Sequence, residues 1–201
     1  MPVQSIEEIQ VLSNPHSASS SHKRTIAIAL DMSSYSEFAF NWAIENYLRP
    51  DDLVVLLNVL QHASNGVGTT NGLDAFGTVD SQVVAETSAK QQSHALLAKF
   101  SKILAANGYQ YRALSVVGHV KEAIVHKVKE LNATTLILGS RGANALSRSL
   151  LGSVSDYCTH HCHCPVLIAK SAVGGLQSEH HHVSKEEEGF VLPPVSTVKI
   201  L

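Results

Sequence analysis

Continuous apolar runs alternate with amphipathic stretches along this chain, and that alternation predicts its elements. Residues 25–30 read TIAIAL and stop at Asp31-Met32-Ser33-Ser34. Residues 53–60 (LVVLLNVL), 109–117 (YQYRALSVV), 134–138 (TTLIL) and 165–169 (PVLIA) are further runs of strand length. Between them the spacing turns helical. Ser34 followed by Glu37 has the spacing of a capping box and opens a helix running to about Leu48. Ser93, Leu96, Leu97, Phe100, Ile103 and Leu104 mark one face of a long helix over residues 80–106, which Asn107-Gly108 closes. Val120, Ala123, Ile124, Val128 and Leu131 mark another helix, and residues 153–161 form a short one before the last strand.

The predicted order is βαβαβαβαβ, and the strands are apolar throughout rather than alternating. Strands buried on both faces need that pattern, and parallel sheets covered by helices are where they occur. With right-handed crossovers the expectation is a doubly wound, five-stranded parallel sheet in a three-layer α/β/α sandwich, Rossmann-like in plan. Ligands of such sheets bind beyond the carboxyl ends of the strands, where strand order reverses. The loops to inspect are therefore 31–34, after the first strand, and the one starting at Gly139, after the fourth.

Outside this region the pattern fades. Residues 13–21 (SNPHSASSS) are polar and of low complexity, and residues 171–190 (SAVGGLQSEHHHVSKEEEGF) show neither period. The final VLPPVSTVKIL is apolar enough to dock, at no place the sequence specifies. The chain is expected to divide into a flexible segment 1–23, one domain 24–170 and a tail 171–201.

Composition narrows the partners. A formal net charge of −2 gives no basic surface for a nucleic acid, although twelve histidines would make the protein more positive below neutral pH. There is no apolar run of about 20 residues to cross a membrane, and the first residues lack the pattern of a secretory signal. The three cysteines all fall between Cys158 and Cys164, too close together for a disulfide framework. A reducing, cytoplasmic setting is expected.

The chemistry concentrates after the fourth strand, where Gly139-Ser140-Arg141-Gly142 is followed, nine residues later, by Gly152-Ser153-Val154-Ser155. Glycines let backbone amides approach an anion without a Cβ in the way. The amides after Gly152 open a helix, where unpaired N–H groups and the dipole favour negative charge. Hydroxyls of Ser153 and Ser155 would add donors. The same residues would equally serve as strand and helix caps, and neither G-x-x-x-x-G-K-[ST] nor G-x-G-x-x-G is present.

The G-2x-G-9x-G-S pattern at Gly139, Gly142, Gly152 and Ser153 resembles the signature of ATP-binding universal stress proteins. Asp31-Met32-Ser33 is similar to that family's first-strand D-x-S, residues 118–124 to its G-x-x-x-E-x-I helix entry, and Cys164-Pro165-Val166 to its last strand. The similarity covers residues 24–170 and implies an adenine nucleotide α-hydrolase-like fold with ATP as ligand. By position it implies that Asp31 contacts ribose or adenine, and that Ala29 and Leu30 line the base pocket. Val59 would pack on adenine, and Leu138 with Gly139 would form the ribose side. Gly142, Gly152, Ser153, Val154 and Ser155 would hold the phosphates, with Mg or Mn on the phosphate oxygens and Arg141 between the first glycines. Two positions depart from the family: His119-Val120 replaces Asp-Pro, and Asn58 stands where His often precedes the valine. The resemblance also implies a homodimer through the edge of residues 166–169 and signalling proteins as partners.

Two other readings stay open at this point. One is a slow ATP hydrolase, with His119 or Asp31 orienting water, although turnover is expected to be negligible or very slow. The other is a dimeric scaffold without nucleotide, using Cys158, His160, His161, Cys162, His163 and Cys164 as a metal site. That site lacks a second ligand pair unless His180, His181 and His182 supply one, and a buried Cys158 or Cys162 packing as a small hydrophobe is the simpler reading.

Overall fold

The computed structural model describes residues 7–13, 23–61, 78–142, 151–170 and 199–200. Within them the expected strands and helices recur in order: β2 (Arg24–Ala29), α1 (Ser34–Asn46), β3 (Asp52–Leu60), α2 (Thr78–Ala106), β4 (Gln110–Val117), α3 (Val120–Glu130), β5 (Thr135–Gly139), α4 (Ser153–His161) and β6 (Val166–Ala169). Two strands are added at the ends, β1 (Glu7–Ser13) and β7 (Lys199–Ile200). The sheet runs β1-β4-β3-β2-β5-β6-β7. Its five inner strands are parallel, so the doubly wound expectation holds.

The outer strands correct the sequence reading. β1 pairs antiparallel with β4, from Glu7 opposite Val117 to Ser13 opposite Arg112. Residues 7–13, which the sequence reading placed in the segment 1–23, thus form an edge strand of the sheet. An open strand edge presents unpaired N–H and C=O groups, and β1 satisfies those of β4. At the other edge β7 pairs antiparallel with β6, Leu167 opposite Ile200 and Ile168 opposite Lys199. The edge expected to take a second copy is thus occupied by the chain's own end. Residues 1–6, 14–22 and 171–198, with the three histidines at 180–182, lie outside the described residues, as does the loop 62–77.

Why the strands are apolar throughout is visible in the packing. Ile26, Ile28, Val54, Leu56 and Ile137 point to one face, under α1 and α2, where Phe40 and Phe100 meet at 4.5 Å between ring centroids. Ala27, Val55, Leu57, Leu114 and Leu136 point to the other, under α3 and α4. Helix α2 buries Ser93, Leu96, Leu97, Phe100 and Leu104, the face read from its spacing. Gly108, at φ 77°, closes it in the left-handed conformation that glycine adopts without strain.

The N-terminal ends of β2 and β3 are clamped by charge. Asp52 is fully buried and accepts from Arg24 Nε at 2.7 Å and from the Arg49 backbone N–H at 2.8 Å. This leaves the carboxyl ends of the strands for the loops that matter. Among the described residues no helix is long and apolar enough to cross a membrane.

Candidate functional site

Strand order reverses between β2 and β5, and the loops leaving these two strands face each other there. The first loop is set by Asp31. Its Oδ1 accepts from the Ser33 backbone N–H at 3.0 Å and from the Ser33 hydroxyl, while its own N–H donates to Ser36 Oγ at 2.9 Å. This turn makes Ser33, not Ser34, the N-cap of α1, with Ser33 Oγ accepting from Ser36 N–H at 3.2 Å. The cap thus sits one residue before the expected Ser34–Glu37 box, and Glu37 Oε1 instead accepts from Lys99 at 2.8 Å. Asn58 is buried and donates its amide to Leu30 O at 2.8 Å, which ties the loop to the end of β3.

The second loop leaves β5 through glycines that differ in role. A Cβ on Gly139 would lie 2.7 Å from the Tyr35 carbonyl, so β5 and the start of α1 approach as only glycine permits. A Cβ on Gly142 would lie 2.7 Å from Asp31 Oδ2, so Gly142 is the point where the two loops touch. A Cβ on Gly152 would lie 3.2 Å from Arg141 Cα. Gly152 donates its N–H to Ser140 O at 2.8 Å and is the N-cap of α4, a residue with no side chain to cap the first-turn amides itself. Residues 143–150 of this loop lie outside the described residues.

These loops enclose a cavity of about 520 Å³, within the ~300–1,000 Å³ common for small-molecule sites. Ala29, Leu30, Asp31, Val59, Leu138, Gly139, Arg141, Gly142, Gly152, Ser153, Val154 and Ser155 all line it. Sequence reasoning thus named residues that the fold brings to one place. One detail changes. Ser155 is buried and donates its hydroxyl to Gly139 O at 3.0 Å, so it latches α4 to β5 and leaves only its backbone N–H to face the cavity as a donor. Arg141 Nη1 lies 3.4 Å from the Tyr35 hydroxyl, above that ring.

The cavity has a wall that the sequence reading missed. His119, Val120, Lys121, Glu122 and Ile124 reach it from the start of α3, and Ser36, Leu57, Asn58 and Gln61 complete it. The sequence singles out Asn58 as a departure from the family pattern, and His119 as a departure and as a residue that could orient water. Nothing in the spacing around residues 119–124 signals a cavity, because the crossover topology alone carries the start of α3 there.

The cysteine and histidine cluster divides between core and surface. Cys158 is fully buried in the core under α3 and α4, and Cys162 and Cys164 pack against that core. His160, His161 and His163 are exposed, and His161 stacks on Tyr157 at 3.8 Å between ring centroids. Among the described residues no three of His, Cys, Asp or Glu converge as metal ligands.

Comparison with known proteins agrees with this architecture. The model of the universal stress protein family matches residues 23–170. Universal stress protein PHOS32 of Arabidopsis thaliana is 34% identical over 158 residues, covering 74% of this chain and 65% of the relative. Universal stress protein PHOS34 of the same organism is 33% identical over 167 residues, covering 74% and 62%. The matched region spans less than two thirds of either relative's length. Among solved structures, a universal stress protein family protein from Arabidopsis thaliana with AMP bound aligns at TM-score 0.57 and 23% identity, over 78% of this chain and 97% of that one. A universal stress protein in complex with cAMP aligns at TM-score 0.53 and 20% identity, over 73% and 96%. The chain belongs to the universal stress protein family.

Proposed function

We propose that the cavity binds an adenine nucleotide, ATP carrying Mg or Mn on its phosphate oxygens, and that occupancy is a signal read by partner proteins in a cytoplasmic stress response. The observation that carries this reading is the meeting of the Gly139–Gly142 turn, the start of α4 and the Asp31 loop around one cavity. Gly152 brings no side chain of its own to cap the first α4 turn, so phosphate oxygens are fitting acceptors for its amides. Hydrogen bonds to a charged group contribute about 1.5–3 kcal/mol each, and micromolar binding corresponds to about 8 kcal/mol, so a few such bonds plus base packing suffice. Ala29, Val59 and Leu138 supply apolar surface for the base, and the Asp31 carboxylate can accept from ribose hydroxyls. Two structural neighbours hold AMP and cAMP, which is in keeping with this ligand class.

Binding, rather than turnover, is the proposed role. Mass spectrometry of nucleotide released from the purified, denatured protein tests the ligand, and phosphate release tests turnover. ATP in the released fraction, and a phosphate-release rate no higher in wild type than in Gly142→Val, are expected. A clear wild-type rate lost in that variant would instead identify a hydrolase. Self-association through β6 is proposed to require release of β7 from the same edge.

A further inference from the structure

The chain's three cysteines, all with free thiols, cluster at the end of α4, and the nucleotide reading uses none of them. Cys158 is fully buried, among core side chains of the sheet and α3. Cys162 follows one turn later as the C-cap of α4 and is half-buried, so solvent reaches it. At Cys162 the backbone leaves the helix, with φ −74° and ψ 144°, and its N–H donates back to Cys158 O at 3.0 Å. Both side chains belong to the core under α3 and α4, Cys158 within it and Cys162 packed against it.

Burial divides the pair into two roles, Cys158 closed to solvent and Cys162 open to it. The neighbouring Cys162, and then burial, push the Cys158 thiol up. Cys158 in turn holds Cys162 below the usual thiol range. Cys164, two residues beyond, is pushed up by burial and then by Cys162.

We propose that Cys158 and Cys162 are a peroxide-responsive dithiol, with the accessible Cys162 as the attacked sulfur and the buried Cys158 as its resolving partner. The Cys162 thiolate attacks a hydroperoxide oxygen, the O–O bond breaks, and the departing alkoxide or hydroxide takes up a proton. Cys162 is then a sulfenic acid. Cys158 sulfur attacks Cys162 sulfur, the S–O bond breaks, and water leaves with the Cys158 proton. Two thiols are oxidised to one disulfide as one peroxide is reduced to an alcohol or water. Cβ atoms one helical turn apart stand about 5–6 Å from each other, whereas a disulfide needs about 3.5–4.5 Å. Closure must therefore draw Cys162 inward and disturb the last turn of α4. A bridge under such strain is readily reduced again, as a reversible sensor requires.

The test uses the full chain, reduced, exposed to hydrogen peroxide, quenched by alkylation and mapped by tandem mass spectrometry. The expected product has lost two hydrogens, carries a Cys158–Cys162 bond with Cys164 alkylated, and reverts with dithiothreitol. Cys162 should react faster than Cys164, whose thiol is the more strongly held. In Cys158→Ser, dimedone should trap a sulfenic acid on Cys162. A bridge that includes Cys164, or equal reaction of Cys162 and Cys164, would overturn the proposal. Mapping of the wild-type protein decides this even if the variant folds poorly, and no nucleotide need be present.

Discussion

At the scale of single residues, the glycines that look alike in the sequence do different work. Gly142 faces the tip of the Asp31 side chain, 2.7 Å from where its Cβ would be, and that carboxylate can swing aside. Gly142→Ala should leave the melting temperature nearly unchanged while weakening ATP binding about tenfold, or about 1.4 kcal/mol, measured by calorimetry. Gly139 faces the Tyr35 backbone, which cannot swing. Gly139→Ala should cost about 1–3 kcal/mol of stability in urea unfolding, as overpacking does. The positions of both glycines were legible in the sequence, because a G-2x-G-9x-G-S spacing is a pattern. Their roles were not, because spacing carries no information about what a Cβ would meet. Asn58 makes the same point: its bond to Leu30 O links residues 28 positions apart in sequence.

At the scale of elements, helical periodicity identified the buried face of α2, including Ser93, but gave no sign of that serine's partner. Ser93 Oγ and Ser115 Oγ lie 2.8 Å apart, both buried, between α2 and β4. Ser115→Ala should destabilise the fold by about 1–3 kcal/mol by leaving Ser93 unsatisfied. Replacing both serines by alanine should cost less than the single change, and equilibrium unfolding of the two variants makes the comparison. The start of α1 was misplaced by one residue for a related reason. Ser33 and Ser34 are chemically equivalent caps, and the choice falls to Asp31, which orders Ser33 from outside the helix.

For the molecule as a whole, the five parallel strands and their order of appearance were legible because each is a continuous apolar run long enough to read. The edges were not. β1 carries Glu7, Glu8 and Gln10 among its apolar residues, and β7 is two residues long, so neither stands out by period. Their pairing partners are also distant in sequence, which no local pattern encodes. These strands cover both edges of the parallel sheet, and one consequence follows for assembly. Deleting residues 199–201 should free the β6 edge and increase self-association, seen as a larger dimer fraction in analytical ultracentrifugation. An unchanged distribution would mean that β6 is not an association surface.

The cavity joins these scales, since residue contacts, the start of α4 and the reversal of strand order all meet there. Titration calorimetry of the full-length protein with ATP and Mg, beside Gly142→Val and Gly152→Val, tests its role most directly. Saturable binding near micromolar affinity, abolished in both variants while they stay folded, is the expected result. No heat of binding in the wild type, or binding that both variants retain, would contradict a nucleotide site in this cavity.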